Sequence, residues 1–223
     1  MLTNNDFPEI SGDEYHYGCR FTTPVRLARH TGLEPGDGEF EARGAKLGAE
    51  FDALYIGMVD TATAGFFPGI HELLSRAPPD VKIGALTNAA VAYAEAVLHA
   101  NGVRSRFCSV HGADDVPAAK PAPDGILQCL REMGVSPHEA VYIGDSPSDG
   151  RAALAAGCAS VGVTWGANSP PALVGAFDTM VHSVASLSDV LFPESAAAAS
   201  GDAAQAKHIL LDRDGVCVCV CVC

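Results

Sequence analysis

The chain has 223 residues and 48% hydrophobic content, enough for one buried core with a small accessory domain. Its formal net charge of −13 speaks against a nucleic-acid partner, because such binders concentrate Lys and Arg. No apolar run reaches the ~18–20 residues of a bilayer span, and residues 1–6 lack the cationic and apolar parts of a secretory signal, so no membrane partner and a cytoplasmic location are expected.

Eight cysteines do not make a disulfide framework. Cys217, Cys219, Cys221 and Cys223 fall in a terminal Val-Cys repeat. A GTG-TGT dinucleotide repeat would encode such a tail. A thiol metal site is the sharper alternative, but the spacing departs from the usual Cys-x2-Cys. Cys19, Cys108, Cys129 and Cys158 are scattered and expected as buried free thiols.

Residues 24–29 and 40–55 carry apolar positions at helical spacing, separated by the turn-rich Glu34-Pro35-Gly36-Asp37-Gly38. They predict a small helical module over residues 1–64, set off from the rest of the chain by residues 61–65. From Phe67 the pattern alternates. Helices are expected over 70–74, 89–99, 124–133, 150–156 and 186–191. Strands are expected over 81–86, 107–110, 140–143 and 159–164. Gly134 and Gly157 mark two helix ends. This alternation predicts an α/β core over 65–192, a Rossmann-like doubly wound parallel sheet with helices on both faces. Ligands of such sheets bind at the carboxyl ends of the strands.

Residues 193–206 are rich in Ala, Ser and Gly and read as a linker. Residues 207–216 come next, with the strand-like run Ile209-Leu210-Leu211. A continuous apolar run suits a central strand covered on both faces, so residues 209–212 are expected between the strand ending at Leu86 and the one ending at Ile143. Residues 217–223 are the low-complexity tail.

Polar groups collect where the predicted strands end. Residues 81–86 lead into Thr87-Asn88, residues 141–143 into Gly144-Asp145-Ser146-Pro147-Ser148-Asp149, and residues 209–211 into Asp212-Arg213-Asp214-Gly215. Lys120 precedes Pro121 in a loop. A hydroxyl and backbone amides at Thr87-Asn88 could hold phosphate oxygens, and a lysine could neutralise a transferred phosphoryl group. Carboxylates from two strand ends could form an oxygen-ligand magnesium site. Taken singly, Thr87-Asn88 is a turn, Lys120 a solvated cation, Gly144–Asp149 a helix cap and Asp212–Gly215 a turn or calcium-loop fragment.

Together these segments resemble the four motifs of the haloacid dehalogenase-like superfamily. Residues 67–166 resemble the core of its phosphoglycolate-phosphatase-like branch, and residues 10–64 its helical cap. The resemblance implies a magnesium-dependent phosphatase acting on a small phosphorylated metabolite. Asp212 would be the nucleophile, and Asp214 the acid and base. Lys120 would stabilise the phosphoryl charge, and Thr87 with Asn88 would hold the phosphate. Asp212, Asp214 and Asp145 would hold Mg2+, and Asp149 would orient Lys120 or support the metal. The order departs from the family, whose nucleophile strand comes first in the chain. Either the chain is circularly permuted, or Asp212 opens a truncated second copy. A linker of about 14 residues, at ~3.3–3.6 Å each, can cross one face of the core. The alternatives to a phosphatase are a phosphomutase of the same superfamily and a module without catalysis. A dinucleotide-binding domain is disfavoured by the lack of Gly-x-Gly-x-x-Gly at a strand-to-helix turn.

Overall fold

The computed structural model describes residues 2, 5, 7–18, 21–193 and 208–212, the last segment as backbone. The expectations for the linker, Cys19, Asp214 and the Val-Cys tail lie outside the described residues.

Three helices come first: α1 (Gly12–Gly18), α2 (Thr23–His30) and α3 (Phe40–Ile56). Pro24 suits the first turn of α2, where its missing N–H costs nothing. Helices α2 and α3 pack closely because Gly44 and Gly48 face Pro24, and a Cβ on Gly44 would stand 2.6 Å from the Pro24 carbonyl oxygen. The core then runs through α4 (Ile70–Arg76), β1 (Ile83–Leu86), α5 (Val91–Ala100), β2 (Phe107–His111) and α6 (Asp124–Met133). It continues with β3 (Ala140–Gly144), α7 (Pro147–Ala156), β4 (Ala159–Val163), α8 (Pro170–Leu173), β5 (Thr179–Val181), α9 (Val184–Leu191) and β6 (His208–Asp212).

The six strands form one parallel sheet in the order β2-β1-β6-β3-β4-β5. The last strand in the chain is therefore central in the sheet, as its apolar run predicts. Ile83 to Leu86 align with Ile209 to Asp212 on one side of β6, and Ala140 to Ile143 align with His208 to Leu211 on the other. Without β6, β1 and β3 would each present an open row of backbone donors and acceptors in the middle of the molecule. Strands β1 and β3 are buried at every position, in keeping with a parallel sheet packed on both faces. Helix α6 packs on β1 and β2, α5 on β2, α7 on β3 and β4, and α9 on β5. The core gathers Ile70, Leu73, Ile83, Ile126, Leu130, Tyr142, Ile143 and Leu187, all nearly fully buried.

Three departures from the expected pattern have local causes. Helix α7 begins three residues earlier than the small-residue run suggests, because Ser146 caps it and Pro147 occupies its first turn. Strand β5 has only three residues and lies at the sheet edge, too short for an alternation to show. Cys129 and Cys158 are buried free thiols as expected, but Cys108 is exposed because it is the one outward position of β2.

Candidate active site

The carboxyl ends of β1, β6 and β3 are adjacent, and they bring the predicted groups to one end of the sheet. Asp212 ends β6 opposite Leu86, the residue before Thr87. On its other side Leu211 pairs with Ile143, two residues before Asp145. The backbone of Asp212 thus stands between the Thr87-Asn88 turn and the Gly144-Asp145 turn. Asp214 and the side chain of Asp212 lie outside the described residues.

Thr87 and Asn88 are buried. The Thr87 N–H donates to the His111 carbonyl at 3.0 Å, and its hydroxyl oxygen accepts from the Ala89 N–H at 3.0 Å. Asn88 joins two loops: its amide nitrogen donates to the Lys120 carbonyl at 3.0 Å, and its oxygen accepts the Lys120 N–H at 3.1 Å. This reciprocal pair fixes the backbone of Lys120 against the end of β1. A side chain that bonds both backbone groups of a distant residue sets its position more firmly than one contact could.

The Lys120 side chain is not solvated. Its ammonium lies 3.0 Å from Asp149 Oδ1, with side-chain exposures of 1% and 0% for the two residues. It also reaches the Leu86 carbonyl at 3.5 Å and lies 5.9 Å from the centre of the Tyr142 ring. The Lys120–Pro121 peptide is cis. Burying two charges is costly, and only pairing makes it tolerable. Asp149 has a second duty at the start of α7, where its Oδ2 accepts the Ser146 N–H at 2.9 Å. The helix-cap reading of this segment and its ionic role therefore coexist in one carboxylate. Gly144 is required here, since a Cβ would meet Asp149 Oδ2 at 2.4 Å.

Asp145 is fully buried. Its Oδ2 accepts the N–H of Ala167, from the loop after β4. Gly166 in that loop leaves room for the carboxylate, and a Cβ there would stand 1.9 Å from Asp145 Oδ2. Trp165, the chain's single tryptophan, packs partly buried against the core in the same loop. Its indole N–H has no hydrogen-bond partner among the described residues.

This donor chemistry fits magnesium, which takes hard oxygen ligands and is commonly bound through one or two carboxylates. The buried carboxylate just past β3 and the aspartate that ends the adjoining β6 are residues of the type that could supply such donors. The loop around Asp145 shows a carboxylate held in place through one oxygen by a backbone amide, the kind of support that orients metal ligands.

Sequence reasoning did not find the Trp165-Gly166-Ala167 loop. Its contribution comes from a backbone N–H and from a missing side chain, and neither is announced by residue chemistry. It also did not find His111, whose partners lie four and 21 residues away.

A family model described as haloacid dehalogenase-like hydrolase matches residues 41–163. The phosphoglycolate phosphatase of Escherichia coli strain K12 is 36% identical over 115 residues, covering 51% of this chain and 46% of that protein. The phosphoglycolate phosphatase of Pectobacterium atrosepticum is 33% identical over 143 residues, covering 64% of this chain and 59% of that protein. The chain thus spans about half the length of the curated relatives it matches. Among solved structures, CbbY from Rhodobacter sphaeroides in complex with phosphate superposes with a TM-score of 0.66 at 23% identity, over 83% of this chain and 84% of that one. With the family model covering more than half of its residues and the parallel sheet in place, the chain belongs to the haloacid dehalogenase-like hydrolase family.

Proposed function

We propose that this protein hydrolyses small phosphate monoesters, phosphoglycolate-like or sugar phosphates, through an aspartyl-phosphate on Asp212. The observation that carries this reading is the convergence of three strand ends. Thr87-Asn88, Asp212 and Asp145 meet there, with the buried Lys120–Asp149 pair beside them. The names of the curated relatives support the substrate class.

In this scheme a carboxylate oxygen of Asp212 attacks phosphorus as the ester P–O bond breaks. Asp214, as the acid, gives its proton to the leaving oxygen. As the base it then takes a proton from the water that attacks the phosphoenzyme, which frees phosphate and restores Asp212. Thr87 and the backbone around Asn88 hold phosphate oxygens. Lys120, kept in place by Asp149 and Asn88, offsets the phosphoryl charge. Asp212, the Asp214 carbonyl and Asp145 would hold Mg2+, which when bound supplies positive charge to the phosphate oxygens in an otherwise acidic protein. Within the helical module of residues 1–64, residues 20–64 form a lid over the strand ends that limits access to small substrates; residues 65–192 are the catalytic core, and 207–216 the strand that completes it. A cytoplasmic location suits a small-metabolite phosphatase, and no helix among the described residues is long and apolar enough to cross a membrane.

The test is phosphate release from a panel of small esters, with magnesium or with chelator. The parent should release phosphate only with magnesium. Asp212→Asn should abolish release, and Asp214→Asn should lower it about 10²–10⁴-fold, the usual range for loss of a general acid–base group. Full activity in Asp212→Asn would place the nucleophile elsewhere. Transfer of the phosphoryl group within a sugar phosphate, without free phosphate, would favour a mutase.

A further inference from the structure

His111 ends the edge strand β2 and is buried, yet both of its ring nitrogens face carboxylates. Nδ1 lies 2.8 Å from Asp115 Oδ2 and Nε2 lies 2.9 Å from Glu132 Oε2. A neutral imidazole has one donor and one acceptor nitrogen, so it would leave one of the two carboxylates facing a lone pair. Only the imidazolium donates to both. The geometry therefore specifies a charged ring between two anions, one from the loop after β2 and one from α6.

The surrounding groups agree. Ser109 Oγ donates to Glu132 Oε2 at 2.7 Å, and Asp115 Oδ1 accepts the Gly112 N–H at 2.8 Å. On α6, Gln128 Nε2, itself a donor, lies 3.4 Å from each ring nitrogen and cannot accept from the protonated ring, so the two carboxylates remain the ring's acceptors, and Cys129 stays a neutral thiol because burial pushes it up to about 12. Asp114 turns away to accept the Val91 N–H at 2.7 Å, where Asp52 of α3 is its charged neighbour. On α5, Glu95 is engaged by Arg104 and His99. Near the start of β1, Lys82 is held by the Met133 carbonyl. The charges facing His111 are thus those of Asp115 and Glu132. The site is not a metal centre, since the two carboxylates lie against different ring nitrogens at hydrogen-bond distance.

What this brace holds is the base of the candidate active site. The His111 carbonyl accepts the Thr87 N–H, and the Ala113 N–H donates to the Ala89 carbonyl at 2.9 Å. Residues 112–115 thereby splint the turn that carries Thr87 and Asn88. Asn88 in turn clamps the backbone of Lys120. Helix α6, which supplies Glu132, starts only four residues after Lys120.

We propose that His111 is a positioning residue, a protonated brace between Asp115 and Glu132 that orders the loops of Thr87, Asn88 and Lys120 and loosens them when it loses its proton. This rests on reading those loops as the phosphate cradle. Burial of the ring works against its charge. That effect is outweighed by the hydrogen bonds to Glu132 and Asp115 and by their negative charges, so His111 titrates above its ordinary value. A folded-state value raised above the unfolded one stabilises fully below the ordinary histidine range of about 6.5, and that stabilisation fades as pH rises through the folded value. Phosphate handling should therefore weaken on the alkaline side.

Two readouts test the brace without needing activity. The first is a histidine NMR titration of the full chain. His111 should keep both ring protons at a pH where exposed histidines have lost one, and Glu132→Gln should lower its titration point. The second is amide exchange, expressed as protection factors, at Thr87, Gly112 and Lys120. Protection should fall several-fold in the parent as pH rises through the His111 titration, and His111→Gln should show low, pH-independent protection. A His111 that titrates at or below the ordinary value, or protection that falls identically in His111→Gln, overturns the proposal. Phosphate release adds a third arm, in which the alkaline limb of the parent should vanish in His111→Gln. Its persistence overturns the positioning role. A parent that releases no phosphate defeats the hydrolase reading, while the titration and exchange arms still decide on the brace.

Discussion

Thr87, Asn88, Lys120, Asp145 and Asp149 are all buried, and each is tied by a hydrogen bond or by charge to a different segment of the core. Helices α1 to α3 are built differently. They leave Tyr17 and Leu54 more than half exposed, and close glycine–proline contact holds α2 to α3. Their link to the core includes an aromatic pair, Tyr55 of α3 and Tyr93 of α5, with ring centres 4.8 Å apart. Phe51 stacks on Tyr55 at 4.8 Å, and the Arg26 guanidinium lies 4.9 Å from the centre of the Phe51 ring. A polar network with fixed partners suits chemistry, where misplacement by an ångström is costly. The lid proposed for this module would act through these ring-packed helix faces rather than through a fixed polar network.

This contrast can be broken from the core side first. Lys120→Met keeps the bulk and removes the charge, leaving Asp149 buried without its cation. Removing one partner of a buried pair typically costs about 3–5 kcal/mol. Urea unfolding should show a loss of that size, together with loss of phosphate release. A loss below about 1 kcal/mol, the range of exposed pairs, would mean that the pair is hydrated and the site softer than its burial implies.

A smaller effect is expected in the helical module. Gly44→Ala places a methyl group 2.6 Å from the Pro24 carbonyl oxygen, a backbone atom that cannot turn aside. Overpacking of this kind costs about 1–3 kcal/mol, of which better helix propensity returns about 1 kcal/mol. The variant should show earlier exchange in α2 and α3 while the amides of β1 and β3 keep their protection. Equal loss in both regions would show that module and core unfold as one unit.

The weakest change sharpens the junction. Tyr93→Leu removes a ring pair worth about 0.5–1.5 kcal/mol and leaves the core sheet intact. It should shift the ratio of activity on small and bulky esters more than the rate on the smallest ester. An unchanged ratio would remove the selecting role proposed for the module.

Much of the site is legible in the sequence because its groups sit where apolar runs stop. Thr87, Asp145 and Asp212 each come after a strand signal, and the apolar run of residues 209–211 predicts a central strand even though it comes last. Helix α6 matches its expected bounds because Gly134 ends it in a left-handed conformation, φ 66°, that glycine adopts at little cost. Legibility fails where a role depends on pairing. Lys120 reads as solvated when taken alone, and only the fold brings Asp149 and Asn88 to it. Asp149 offers both orienting and metal-supporting roles, and its contact with Lys120 favours orienting. Helix α1 has no apolar periodicity to reveal it.

The proposed chemistry depends most on β6 occupying the centre of the sheet, because Asp212 reaches the other strand ends only there. Amide hydrogen exchange of the intact chain, measured by mass spectrometry over residues 208–212, tests this directly. Protection of Ile209, Leu210 and Leu211 matching that of Ile83–Leu86 and Ala140–Gly144 is the predicted result. Exchange of residues 208–212 at the rate of an unstructured peptide, with β1 and β3 still protected, would contradict it.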